Sequence, residues 1–266
     1  MHRLHYIFFI LTLFTGFSST ITLASTATGE AITLDLGQKI MIPSNILNET
    51  RELLIHVPKE YNQSDQQYPV IYILDGNNHF QHGVTAVGIL HTYQAIPDAI
   101  VVAIPNNTGK RTRDVTTGRL DFVNFIEKEV ITYVEQHYRT TGHRTLFGHS
   151  SMGALTLKIF AERIDMFDIY IAASPALNLS SSKLLSQIKS VLGHEAIESK
   201  SLYFTVTESA DEVKGFTDGS KMLEKFLIDN APEHFKWRFN YIPGLNHMTT
   251  PYPTFFEGLK WAFKNN

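Results

Sequence analysis

The sequence contains no cysteine. That excludes disulfides, thiolate catalysis, cysteine-ligated zinc and a lipid anchor on a cysteine. Stability must therefore come from a packed core, which 266 residues with 43% hydrophobic content can supply as one domain. An excess of either charge is also lacking: the formal net charge is −3, and Lys and Arg are nowhere clustered. Nucleic-acid binding needs a basic stripe to neutralise phosphates, so it is excluded as a function class. There is no internal repeat, low-complexity tract or linker long enough to divide the chain.

Long hydrophobic runs are lacking too, apart from the N-terminus. There a short segment with Arg3 precedes the apolar stretch Tyr6–Phe17, and small residues lead to Thr22-Leu23-Ala24. This predicts a secretory leader over residues 1–24, since the run is short for a membrane span. An uncleaved anchor is the alternative. The leader reading implies export to the periplasm or the outside, with no membrane span in the mature chain. A single domain is then expected over residues 25–266.

Apolar runs alternate with helical periods through that domain. "KIMIPS" and "RELLIHVP" read as early strands, and "YPVIYILDG", "DAIVVAIP", "HRTLFGH", "FDIYIAASP" and "SLYFTVT" as buried ones. "HFKWRFNYIPG" alternates and suits a strand nearer the edge. Helical periods appear in "DFVNFIEKEVITYVEQHY", with Phe122, Phe125, Ile126, Val130, Tyr133 and Val134 on one face. "MGALTLKIFAERI", "KMLEKFLIDNA" and "YPTFFEGLKWAFK" follow the same pattern. Strands alternating with helices predict an α/β fold, a mostly parallel sheet with helices on both faces.

Strand, tight turn and helix meet in "RTLFGHSSMGAL". A nucleophile elbow, G-x-S-x-G, requires that context but fits imperfectly. With Ser150 as nucleophile, Met152 occupies the second glycine position; with Ser151, His149 occupies the first. The bland reading is a serine-capped helix after a strand. Upstream, "ILDGNNHF" follows a buried strand, where an oxyanion loop would stand. Backbone N–H groups of Asn77 or Asn78, and of Ser151, are the candidate donors; the alternative is an ordinary Asp-Gly turn. His247, one of twelve histidines, lies in "YIPGLNHMTTPYP" between the last strand and last helix, where a general base must lie. His149 and His79 are its rivals by position, whereas His82 and His143 read as surface or helix-face residues. A triad acid should follow "SLYFTVT", leaving Glu208, Asp211 and Glu212 as candidates.

Taken together, these segments resemble the putative-esterase family of α/β-hydrolases, an esterase-D-like group that includes siderophore esterases. The resemblance is carried by "YPVIYILDGNNHF", "VVAIPNNTGKRTRDVTT", "FVNFIEKEVITYVEQHYRT", "RTLFGHSSMG", "FDIYIAASPAL" and "PGLNHMTTPYP", from about residue 50 to 265. It implies the α/β-hydrolase fold and a serine esterase acting on a small-molecule ester, with no metal or organic cofactor. The family elbow, G-H-S-x-G-G, places Ser150 at the nucleophile and leaves Met152 as the one departure. His247 falls on the base, and Asp211 and Glu208 are the nearest matches for the acid. Arg113-Asp114 reads as structural. Residues 175–199 read as a cap-like insertion or as an amphipathic surface helix. Two rival functions remain: a non-catalytic binding protein, if Met152 tilts the elbow, and an acyltransferase.

Overall fold

The computed structural model describes residues 30–106, 108–177, 183–207 and 214–264. The predicted leader, 1–24, lies outside the described residues. The chain divides into two units, residues 1–35 and 36–266. Residues 30–35 carry no helix or strand, and every element below belongs to the second unit.

That unit is built on one eight-stranded sheet in the order β1-β2-β4-β3-β5-β6-β7-β8. The strands are β1 (Gln38–Ser44), β2 (Glu49–His56), β3 (Tyr68–Leu74), β4 (Ile100–Ile104), β5 (Thr140–His149), β6 (Ile169–Ala173), β7 (Ser201–Thr207) and β8 (Lys236–Ile242). β1 pairs antiparallel with β2 and β2 antiparallel with β4; all other neighbours are parallel. The helices are α1 (Gly76–Thr92), α2 (Arg111–Val115), α3 (Arg119–Phe125), α4 (Thr132–His137), α5 (Ser151–Glu162), α6 (Lys183–Leu192), α7 (Lys214–Asn230) and α8 (Pro251–Lys264).

The sheet's two faces follow from the two-residue period of strand side chains. In β3, Val70, Tyr72 and Leu74 enter one apolar cluster while Ile71 and Ile73 enter the other. The first cluster also holds Met152, Leu155 and Ile188; the second is closed by Val84 and Val87 of α1 and Phe255 and Leu259 of α8. Continuous apolar strands are what double-sided burial demands, and β3, β4, β6 and β7 are buried at every position. β8 is half-buried along most of its length and ends the sheet, as its alternating sequence predicted.

Two readings need amendment. The helix predicted over 121–138 is interrupted by a π-helical turn, Ile126–Ile131, between α3 and α4. Its apolar face still packs, with Phe122, Phe125, Ile126, Val130 and Val134 unexposed. The segment after Leu74 is not a plain turn but the start of the 17-residue helix α1. Within 175–199, residues 178–182 lie outside the described residues. The rest includes α6, whose Leu184, Ile188, Val191 and Leu192 are buried in the larger cluster.

Arg113-Asp114 is structural, as read. Asp114 is fully buried and receives Arg51, itself 1% exposed, together with Nε of Arg113 at 2.8 Å. Arg51 also lies over the rings of Phe122 and Phe125, 5.2 and 5.7 Å from their centroids. Glu49 joins the cluster through Arg113, and this pairing holds its carboxyl down at about 2. Removing one partner of a buried ion pair strands the other charge in a low-dielectric core. Asp114→Ala is therefore expected to destabilise the fold by about 3–5 kcal/mol, measured as a lowered urea midpoint. Asp121→Ala, on the exposed side of α3, should leave the midpoint unchanged.

Candidate active site

The parallel strands all end at one edge of the sheet, where α/β folds bind their ligands. Ser150 lies there, between β5 and α5, with φ 58° and ψ −121°. An L-residue rarely adopts this conformation, and holding it costs about 1–3 kcal/mol. Three backbone hydrogen bonds enforce it. The Ser150 N–H donates to the Ala173 carbonyl at 3.0 Å, and the Ser150 carbonyl accepts from Ala154 and Ala176, both at 2.9 Å. The turn is tight because helix and strand nearly touch. A Cβ on Gly148 would stand 2.3 Å from the Met152 carbonyl oxygen, so only glycine fits. Gly153 is similarly close to Ala173, where an added Cβ would lie 3.0 Å from the carbonyl oxygen.

Met152 was the departure from the expected pattern. Its side chain is fully buried in the larger apolar cluster. Beside it Ser150 keeps its strained turn. Ser151 is the first residue of α5, where helix geometry gives its N–H no intrahelical acceptor.

Asn77 and Asn78 occupy the first turn of α1, behind Asp75, which also has positive φ, at 52°. The Asn78 N–H donates to the Asp75 carbonyl at 2.9 Å and is thereby engaged. Asn77 lies one position earlier, and its Oδ1 accepts from the Asn106 N–H at 3.1 Å. Asp75 anchors this loop. It is 4% exposed and is gripped by Arg111 through Nε at 2.9 Å and Nη2 at 2.7 Å, with Asn106 Nδ2 at 3.2 Å. The signal of this network in the sequence is an acid, Asp75, ending a buried strand.

His247 lies in the loop after β8. Asn246 shapes that loop: its Oδ1 accepts from the N–H groups of Met248 and Thr249, each at 3.0 Å. The Thr207 hydroxyl ties the loop to the end of β7 by donating to the Leu245 carbonyl at 2.6 Å. His149, a rival by position, is 6% exposed, and its Nε2 lies 2.8 Å from the His247 carbonyl oxygen. Their rings are 4.6 Å apart between centroids. His149, Ser150 and the His247 loop thus meet at one place. Glu208, Asp211 and Glu212, the acid candidates, lie outside the described residues.

Behind this site stands a row of imidazoles. His79 lies edge-on to His149 at 5.7 Å and to His82 at 5.3 Å, and His82 meets Tyr252 at 4.6 Å. His82 is a half-buried residue on the face of α1, with both ring nitrogens unpartnered; the i, i+3 spacing of His79 and His82 was the available signal of the row. His143 is half-buried as well, and burial lowers its pKa. Burial holds His79, His82 and His149 down to about 4, so all three rings are neutral near pH 7. A groove of about 440 Å³ opens beside this row, lined by Asn78, His82, Ile89, Tyr252 and Phe256 among others.

A parallel-rich sheet with this order, carrying a strained serine at a strand-to-helix turn, is an α/β-hydrolase. The chain belongs to the Putative esterase family, whose profile matches residues 44–251. It is 28% identical over 189 residues to the ferri-bacillibactin esterase BesA of Bacillus subtilis, covering 60% of this chain. The matched region spans about 65% of the length of that curated relative. Among solved structures, an IroE-like serine hydrolase from Shewanella oneidensis superposes with a TM-score of 0.78 at 26% identity, covering 86% of this chain and 80% of that one. The BES protein of Bacillus cereus shares the fold, with a TM-score of 0.78 at 24% identity over 90% of this chain and 99% of its own.

The buried histidines generate a pH dependence. In the unfolded chain they titrate near 6.5, and in the folded one near 4. Between those values the unfolded state binds more protons, so stability falls as pH drops. By pH 5 each ring is expected to have removed about 2 kcal/mol relative to neutrality. Urea midpoints at pH 7 and pH 5 test this before ordinary carboxylates titrate; a midpoint unchanged between them contradicts it.

Proposed function

We propose that this chain is an exported serine esterase that cleaves carboxylic esters of small molecules. One observation carries the reading: the strained backbone of Ser150, with the His247 loop tied to the adjacent residue. In the proposed mechanism Ser150 Oγ attacks the ester carbonyl as its proton passes to His247. The N–H groups of Ser151 and Asn77 face the developing oxyanion; Asn78 drops out of that role, because its N–H is engaged. The tetrahedral intermediate collapses, and His247 returns the proton to the leaving alcohol. A water molecule, deprotonated by His247, then releases the acid and regenerates Ser150. Asp211 or Glu208 is proposed to orient the imidazole.

The name of BesA points to siderophore esters as the first substrates to try. Export rests on residues 1–24, read as a cleaved leader, and implies a periplasmic or extracellular site of action. Among the described residues no helix is long and apolar enough to cross a membrane.

A chain-length series of p-nitrophenyl esters tests the assignment. Ser150→Ala is expected to lower kcat by at least about 10³-fold, and Ser151→Ala, which keeps its backbone N–H, by less than about tenfold. Activity that survives Ser150→Ala but vanishes in Ser151→Ala overturns the choice of nucleophile.

A further inference from the structure

Every catalytic base on a loop faces the same difficulty: the loop must hold the imidazole still relative to a nucleophile carried by another element. Here two side chains at the ends of sheet strands hold the loop after β8. The first is the Thr207 hydroxyl, which holds the Leu245 carbonyl from the end of β7. The second is His149, which holds the His247 carbonyl from the end of β5, one residue before Ser150. We propose that His149 is a positioning residue, whose Nε2–H fixes the backbone of His247 and so sets the distance from the base to Ser150. This rests on the reading of Ser150 and His247 as nucleophile and base.

The chemistry of the contact defines the state of the ring. A backbone carbonyl only accepts, so Nε2 of His149 must carry a proton to make the 2.8 Å bond. Burial disfavours the doubly protonated ring, which leaves Nδ1 bare. His149 is therefore a neutral ring whose Nε2–H is engaged by the base loop. Its direction is fixed as well as its proton. The backbone sits in β5, in register with Ala173 of β6. His79 meets the ring at 89° from one side and the His247 ring stacks obliquely on it. A ring so confined transmits the position of β5 to the base loop. The pairing also explains why a large polar side chain is buried beside the elbow, where packing alone would take an aliphatic one.

Two amides of the same chemistry and different reach test the proposal. The Gln side chain places its N–H close to the position of histidine Nε2, whereas the Asn side chain stops one methylene short. His149→Gln is expected to retain kcat for a p-nitrophenyl ester within about tenfold of wild type, and His149→Asn to lose about 100-fold, with KM nearly unchanged in both. Equal kcat values for the two variants, or a wild-type kcat for His149→Asn, overturn the proposal, because reach to the carbonyl would then be irrelevant. Thermal unfolding of both variants shows that native protein is being compared. Ser150→Ala and His247→Ala, assayed alongside, separate the two levels. If they stay active, the underlying esterase reading fails; if they are dead while Gln and Asn behave alike, only the role of His149 fails.

Discussion

The close approach of β5 and α5 is the constraint from which the site follows. Gly148 lets the Met152 carbonyl come within a distance that any side chain at position 148 would forbid. The chain can then reverse at the single residue between strand and helix, and Ser150 takes up the strained φ and ψ of that reversal. Strain of this kind persists only when the surroundings over-determine it. Here Ala173 and Ala176 fix Ser150 from the β6 side and Ala154 from its own helix. Ser150 is thereby held at the sheet edge by backbone hydrogen bonds from two elements, and the N-terminus of α5 beside it favours negative charge.

The loops around Ser150 are secured by different physics. The loop after β3 is ionic, with Asp75 in the fork of Arg111 and Asn106 bridging to Asn77. The loop after β8 is held by neutral hydrogen bonds from Thr207 and His149, and is shaped internally by Asn246. Behind both stand His79 and His82, uncharged, with nitrogens that lack partners. Leaving such groups unsatisfied is costly, and aliphatic residues would pack there more stably. Their presence beside the candidate site, and the acid lability that accompanies it, is the pattern of a local stability sacrifice at a functional place.

Much of this was legible in the sequence because it is carried by local pattern. Continuous apolar runs located the inner strands, and the alternating "HFKWRFNYIPG" marked the edge. The glycine two residues before Ser150 marked the elbow despite Met152. What escaped was set by tertiary packing. α1 was hidden by Gly76, Gly83 and Gly88, which weaken helix propensity. Gly83 packs close to the sheet, where an added Cβ would meet the terminal methyl of Ile73 at 2.4 Å. The imidazole row joins α1, β5 and the β8 loop, nearly 170 residues apart, so no local period reveals it. The N–H of Asn78 is engaged by a hydrogen bond of the first helical turn, a geometry visible only once the helix is known.

The central claim is that Ser150 is the nucleophile. It is tested most directly by treating the folded chain with a fluorophosphonate and locating the adduct by peptide mass mapping. The account predicts a single phosphonyl group on Ser150, formed at neutral pH and lost in the His247→Ala variant. An adduct on Ser151, or an unlabelled chain that hydrolyses esters all the same, would contradict it.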